Sequence, residues 1–102
     1  MRVIKRLPLQ EFWETWPQAR APLMEWYRLA TKARWRSFAH VKASLGQTDQ
    51  TKVRSGNSVV IFDVGGNKFR LIARISYEKQ KLYVLRILTH KEYGKNLWKA
   101  QL

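Results

Sequence analysis

Between Lys68 and Tyr93 the chain concentrates side chains that can act on a phosphodiester: Lys68, Arg70 and Arg74, then His90 and Tyr93. Guanidinium and ammonium groups pair with phosphate oxygens through charge-assisted hydrogen bonds. An imidazole titrates near neutrality and can move protons, and a phenol can position or donate. One reaction suits this set without a metal. RNA carries its own nucleophile in the 2′-hydroxyl. A catalyst need only align it, take its proton, steady the crowded phosphoryl centre and protonate the departing 5′-oxygen. DNA lacks that hydroxyl and would be spared. The residues alone leave a second reading open, a basic RNA- or ribosome-binding protein without catalysis. A histidine standing alone in a sequence is more often structural than catalytic, and Tyr83 and Tyr93 fit the rim of a core equally well.

Other chemistries find no support. The 7 acidic residues are scattered from Glu11 to Glu92. Glu11 and Glu14 lie one helical turn apart but have no third carboxylate, so no metal site is expected. There is no cysteine, hence no thiolate nucleophile, disulfide frame or thiolate metal site. Gly65-Gly66 falls between two strands rather than ahead of a helix, which is no setting for a phosphate loop. No cofactor is expected. A DNA-reading helix-turn-helix is not apparent.

The elements that must carry these groups follow from composition and periodicity. The 102 residues are expected to form one domain, 1–102, and 45% hydrophobic content is enough for a core. Twenty Lys and Arg against 7 acids give a net charge of +13, a field suited to a polyanion. MRVIKRLPL has no long apolar run or small-residue cleavage site, and no window reads as a membrane span, so a cytoplasmic protein is expected. Arg2-Val3-Ile4 reads as an edge strand. Pro8 to Trp16 reads as a helix with Leu9, Phe12, Trp13 and Trp16 on one face, ended by Pro17. Pro22 to Ala33 carries a second stripe, Leu23, Trp26, Tyr27 and Ala30. Thr31 to Leu45 mixes Lys32, Arg34, Arg36 and Lys42 with Trp35 and Phe38, as a backbone-holding groove or a short helix would. Gly46 to Ser58 reads as a flexible polar connector. Val59 to Phe62 is a strand buried on both faces. After a glycine turn, Lys68 to Tyr77 alternates, with Lys68, Arg70, Ile72, Arg74 and Ser76 on an open basic face. Leu82 to Leu88 is the last long strand, and Trp98 is expected to pack back from a terminal helical turn. The class is α+β, an N-terminal strand and αα-hairpin packed on an antiparallel sheet that ends in a three-strand meander.

FDVGGNKFRLI from Phe62, followed by LTHKEY ending at Tyr93, resembles the paired GNK(F/Y)R and THxEYD motifs of HigB toxins from bacterial toxin–antitoxin systems. Phe12-Trp13, Pro17 and the Pro22-Leu23 to Trp26-Tyr27 helix extend the resemblance over nearly the whole chain. It implies a RelE-like fold, cleavage of mRNA on translating ribosomes, and a helix-turn-helix antitoxin partner of the HigA kind. On that basis Lys68, Arg70, His90 and Tyr93 are the expected catalytic residues. Arg70 would stabilise the phosphoryl transition state, His90 act as general acid, Lys68 as base or phosphate clamp, and Tyr93 orient the substrate. Asn67, Arg74, Arg86 and Lys91 would touch the RNA beside them. Lys32, Arg34, Arg36, Lys52 and Arg54 would hold the backbone of mRNA or ribosomal RNA. Two positions depart from the family. Its terminal Asp is here Gly94, and an Arg common in its last strand is here Leu85, with Arg86 one place on. A shift by one turns a strand residue to the other face, so Arg86 can substitute only if a bulge re-aims it.

Overall fold

In the computed structural model, which describes residues 1–102, five strands make one mixed sheet in the order β1-β5-β4-β3-β2. The strands are β1 (Arg2–Ile4), β2 (Thr48–Lys52), β3 (Ser58–Val64), β4 (Phe69–Ser76) and β5 (Lys81–Thr89). The antiparallel meander β3-β4-β5 forms as its alternation and turns anticipate. The N-terminal strand is an edge strand, running parallel to β5 with Val3 opposite Leu82. A parallel neighbour requires a crossover, and the helical segment supplies it.

That segment comprises α1 (Leu7–Thr15), a 3-10 turn at Pro17–Ala19, α2 (Arg20–Lys32) and α3 (Phe38–Ser44). Helix α2 starts two residues before Pro22, because proline is tolerated in a first turn whose N–H groups have no partner. Leu23, Trp26 and Ala30 of its stripe are buried, while Trp16, expected on the apolar face of α1, ends outside that helix and is exposed. Trp35 is core: it stacks on Phe62 with centroids 5.9 Å apart, and its Nε1 donates to Ser44 Oγ. The Met1 amino group donates to the carbonyls of Ala30, Thr31 and Ala33, where α2 ends.

Two expectations fail. Gly46 to Ser58 is not a connector, because its first half is β2, which pairs antiparallel with β3 from Thr48↔Phe62 to Lys52↔Ser58. Its sequence, TDQTK, looks like a loop because an edge strand exposes nearly every side chain, and only Thr48 is buried. The basic face of β4 is not open either. The tail folds into α4 (His90–Gly94) and α5 (Leu97–Gln101) and covers part of it. Trp98 there completes a second cluster with Val53, Val59, Ile61 and Ile72, while Val60, Phe62, Leu71 and Ala73 face the helices. Strand β3 is therefore buried on both sides, as its unbroken apolar run requires.

Candidate active site

The site begins at the turn between β3 and β4. Gly65, Gly66 and Asn67 all have positive φ, which glycine adopts without strain and asparagine tolerates. The chain comes around so that Asp63 lies directly opposite Arg70. Opposed residues in an antiparallel pair share a face. Asp63 Oδ1 accepts from the Asn67 amide at 2.8 Å, closing the turn, and from Arg70 Nη1 at 3.2 Å. Both side chains of that ion pair are only 12% exposed. Arg70 Nη1 also donates to Phe69 O at 3.3 Å, and Nη2 to Asn67 Oδ1 at 3.2 Å. Its guanidinium carbon lies 5.2 Å from the centre of the Tyr93 ring. These contacts engage three of the five guanidinium N–H groups and leave the rest for a ligand.

The end of β5 brings the second group of residues to the same place. Phe69 pairs with Thr89, and the next backbone amide, that of His90, donates to Lys68 O at 2.9 Å. Thr89 and Glu92 form a capping box: the Glu92 amide donates to Thr89 Oγ1, and the Thr89 amide to Glu92 Oε1. Such caps contribute about 1 kcal/mol. Here the cap sets where α4 starts, and so where His90, its exposed first residue, stands. Tyr93 is held from behind by Trp98, with rings 5.5 Å apart and 17° from parallel, and Trp98 Nε1 donates to Tyr93 O. Lys68, Arg70, His90 and Tyr93 thus meet at one end of the β4–β5 hairpin. Asn67 and Lys91 lie beside them, both exposed.

Farther along the same face, Arg74 sits over the Tyr83 ring at 5.2 Å. Between the two lies Arg86. The β4–β5 register runs Ile72↔Arg86 and then Ala73↔Val84, so Leu85 is an extra residue in a bulge. The bulge restores Arg86 to the face of Arg70 and Arg74, where it is exposed. Leu85 meanwhile packs on the second cluster.

The other basic residues are elsewhere. Lys32, Arg34 and Arg36 line a cavity at the β4–β5 turn, the far end of the hairpin. Lys52 and Arg54 are at the β2–β3 turn, where the Arg54 amide donates to Lys99 O of α5. Sequence reasoning gives Asp63 no role in the site. Of Glu92 and Trp98 it shows only that Glu92 lies in the second motif and that Trp98 packs back, not that they position His90 and Tyr93. Asp63 had a usable signal, an acid placed before Gly-Gly-Asn, which is the composition of a side-chain-closed turn. The arrangement offers a phosphate a part-buried guanidinium with a fixed orientation, an exposed imidazole and flanking cations. No three His, Cys, Asp or Glu residues gather as a metal-holding group.

Residues 19–96 match the family model of the HigB toxin, described as the RelE-like toxic component of a toxin–antitoxin system. The chain belongs to the HigB toxin family. It is 31% identical over 93 residues to the mRNA interferase toxin HigB of Escherichia coli K12, covering 91% of this chain and 88% of that one. The mRNA interferase HigB of Shigella flexneri matches to the same extent. That of Escherichia coli O6:H1 is 28% identical over 95 residues, covering 93% and 90%. The likeness to these HigB toxins thus spans most of both chains, and the hairpin end described above lies within the region matched by the family model.

Proposed function

We propose that this chain is an mRNA endonuclease that cuts on translating ribosomes in the cytoplasm and is neutralised by a helix-turn-helix antitoxin. The relatives named mRNA interferase support the substrate. The single observation that carries the chemistry is Arg70, oriented by Asp63 and Asn67 over Tyr93 at the end of the hairpin where His90 begins α4.

The reaction is an internal transesterification. The RNA 2′-oxygen attacks the adjacent phosphorus, the bond from phosphorus to the 5′-oxygen breaks, and a 2′,3′-cyclic phosphate remains. The proton of the 2′-hydroxyl leaves to a base, for which Lys68 is the candidate, with phosphate clamping as its other role. The departing 5′-oxygen receives a proton from the imidazolium of His90. Arg70 pairs with the phosphoryl oxygens, where charge builds in the transition state. Tyr93 holds the guanidinium plane and the nucleotide beside it. Arg74, Arg86, Asn67 and Lys91 line the path of the strand on either side.

The test is Arg70→Ala and His90→Gln assayed with translating ribosomes, followed by mapping of the cut ends. Each is expected to lower the cleavage rate by about 10²–10³-fold. If both variants stop growth and cut mRNA like the parent, the roles are wrong. If the parent leaves mRNA intact while binding it in a salt-dependent way, the protein is a binding module.

A further inference from the structure

A cleft of about 770 Å³ lies away from the proposed cutting site. Arg2, Lys32, Arg34 and Arg36 line it, all exposed, against the single carboxylate of Glu78. None of the four is in an ion pair, since the salt bridges are Arg28–Glu25 and Arg70–Asp63. Unpaired cations gathered in a concave wall focus potential and attract anions.

The wall is fixed in place. Between Arg34 and Arg36, Trp35 is 2% exposed and anchored on Phe62. Gln80 Nε2 donates to both Trp35 O and Tyr77 O, which ties this segment to the β4–β5 turn. The carbonyl end of α2 points here and would repel an anion. The Met1 amino group occupies those carbonyls and offsets that repulsion. The Tyr77 hydroxyl, buried in the same wall, has no hydrogen-bond partner.

We propose that this cleft is a second polyanion site, which grips the phosphodiester backbone of an RNA segment other than the one being cut. Two observations separate the segments. From Arg70 to Ser76 the strand rises about 20 Å at roughly 3.3 Å per residue. The cleft also lies on the helix side of the sheet, where Tyr77 packs against the main cluster, whereas Arg70, Arg74 and Arg86 face the other side. One straight strand cannot occupy both. RNA is favoured over an acidic protein because none of the exposed large hydrophobic residues (Leu7, Trp16, Met24, Leu29, Leu97) lines the cleft. Protein interfaces need such buried anchors, while nucleic-acid interfaces are polar and strongly positive. For which RNA the second segment belongs to, the inference rests on the mRNA-cutting reading: a large folded RNA that presents two segments at once, as ribosomal RNA does.

The experiment is the triple variant Lys32→Gln/Arg34→Gln/Arg36→Gln, whose exposed positions leave the thermal melt unchanged. Its affinity for purified ribosomal RNA is titrated against salt, beside that of the parent. The expected result is an affinity about tenfold or more lower, with a log–log salt slope shallower by about 2–3, close to one for each phosphate no longer neutralised. On translating ribosomes the half-saturating concentration rises while the single-turnover cleavage rate at saturation stays that of the parent. Unchanged affinity and slope overturn the proposal. So does a saturated rate that falls with the affinity, because the cleft would then belong to the path of the cut strand. Binding lost for poly-glutamate but kept for ribosomal RNA also overturns it. A parent protein that cuts no mRNA, with RNA binding still weakened in the variant, refutes the nuclease reading and leaves the cleft standing.

Discussion

Asp63 is the residue on which the proposed cutting site turns, although it carries the wrong charge for binding phosphate. Asp63→Ala removes one oxygen that serves both the Arg70 guanidinium and the Asn67 amide. Taking away one partner of a buried pair costs about 3–5 kcal/mol. With 12% of each side chain still exposed, the lower end applies. The lost turn hydrogen bond adds about 1 kcal/mol. At about 4–8 °C per kcal/mol for a protein of this size, the melting temperature should fall by about 15 °C or more. Asp63→Asn keeps an oxygen in place without the charge and should cost about half as much. Catalysis is expected to fall separately from stability, because Arg70 loses its fixed orientation, and misplacement of such a group costs about 10²-fold. The assay pairs thermal melts with single-turnover mRNA cleavage below the melting range, for Asp63→Ala, Arg70→Ala and the double variant. The expected coupling between the two positions is about 1–3 kcal/mol in stability. A coupling under about 0.5 kcal/mol, together with parental cleavage by Asp63→Ala, would refute the claim that the carboxylate positions the guanidinium.

Two further outcomes follow from the same geometry. Trp98→Ala empties the second cluster and should cost about 3–5 kcal/mol in denaturant unfolding. It also frees the Tyr93 ring that Trp98 stacks on, so cleavage should fall even where the protein remains folded. Arg86→Ala, at an exposed position, should leave stability within about 0.5 kcal/mol. In a salt titration of RNA binding it should lower the slope by about one and slow cleavage, whereas an unchanged slope would mean that the bulge does not bring Arg86 to the substrate.

How far the site was legible depends on which physical signal each part leaves in the sequence. The α2 stripe and the apolar run of β3 are periodic and long, so burial wrote them plainly. Strand β2 left no such trace, because an edge strand with one buried residue has the composition of a loop. The cover on the second face came from α5, a helix too short to show a period, although a run of four apolar residues in β3 already demanded something on both sides. The residue types of the site were readable, and their electrostatics were not. Only the hairpin register puts Asp63 opposite Arg70, and only a bulge, which has no local signature, puts Arg86 beside it. The consequence is chemical. Arg70 is the best-held cation but is ion-paired with the Asp63 carboxylate, so it supplies direction more than net charge. The positive field that draws a phosphate into the site must come from unpaired neighbours on the same face and rim, Lys68, Arg74 and Arg86. Removing Arg74 or Arg86 should weaken RNA capture more than the chemical step, whereas removing Arg70 should do the reverse.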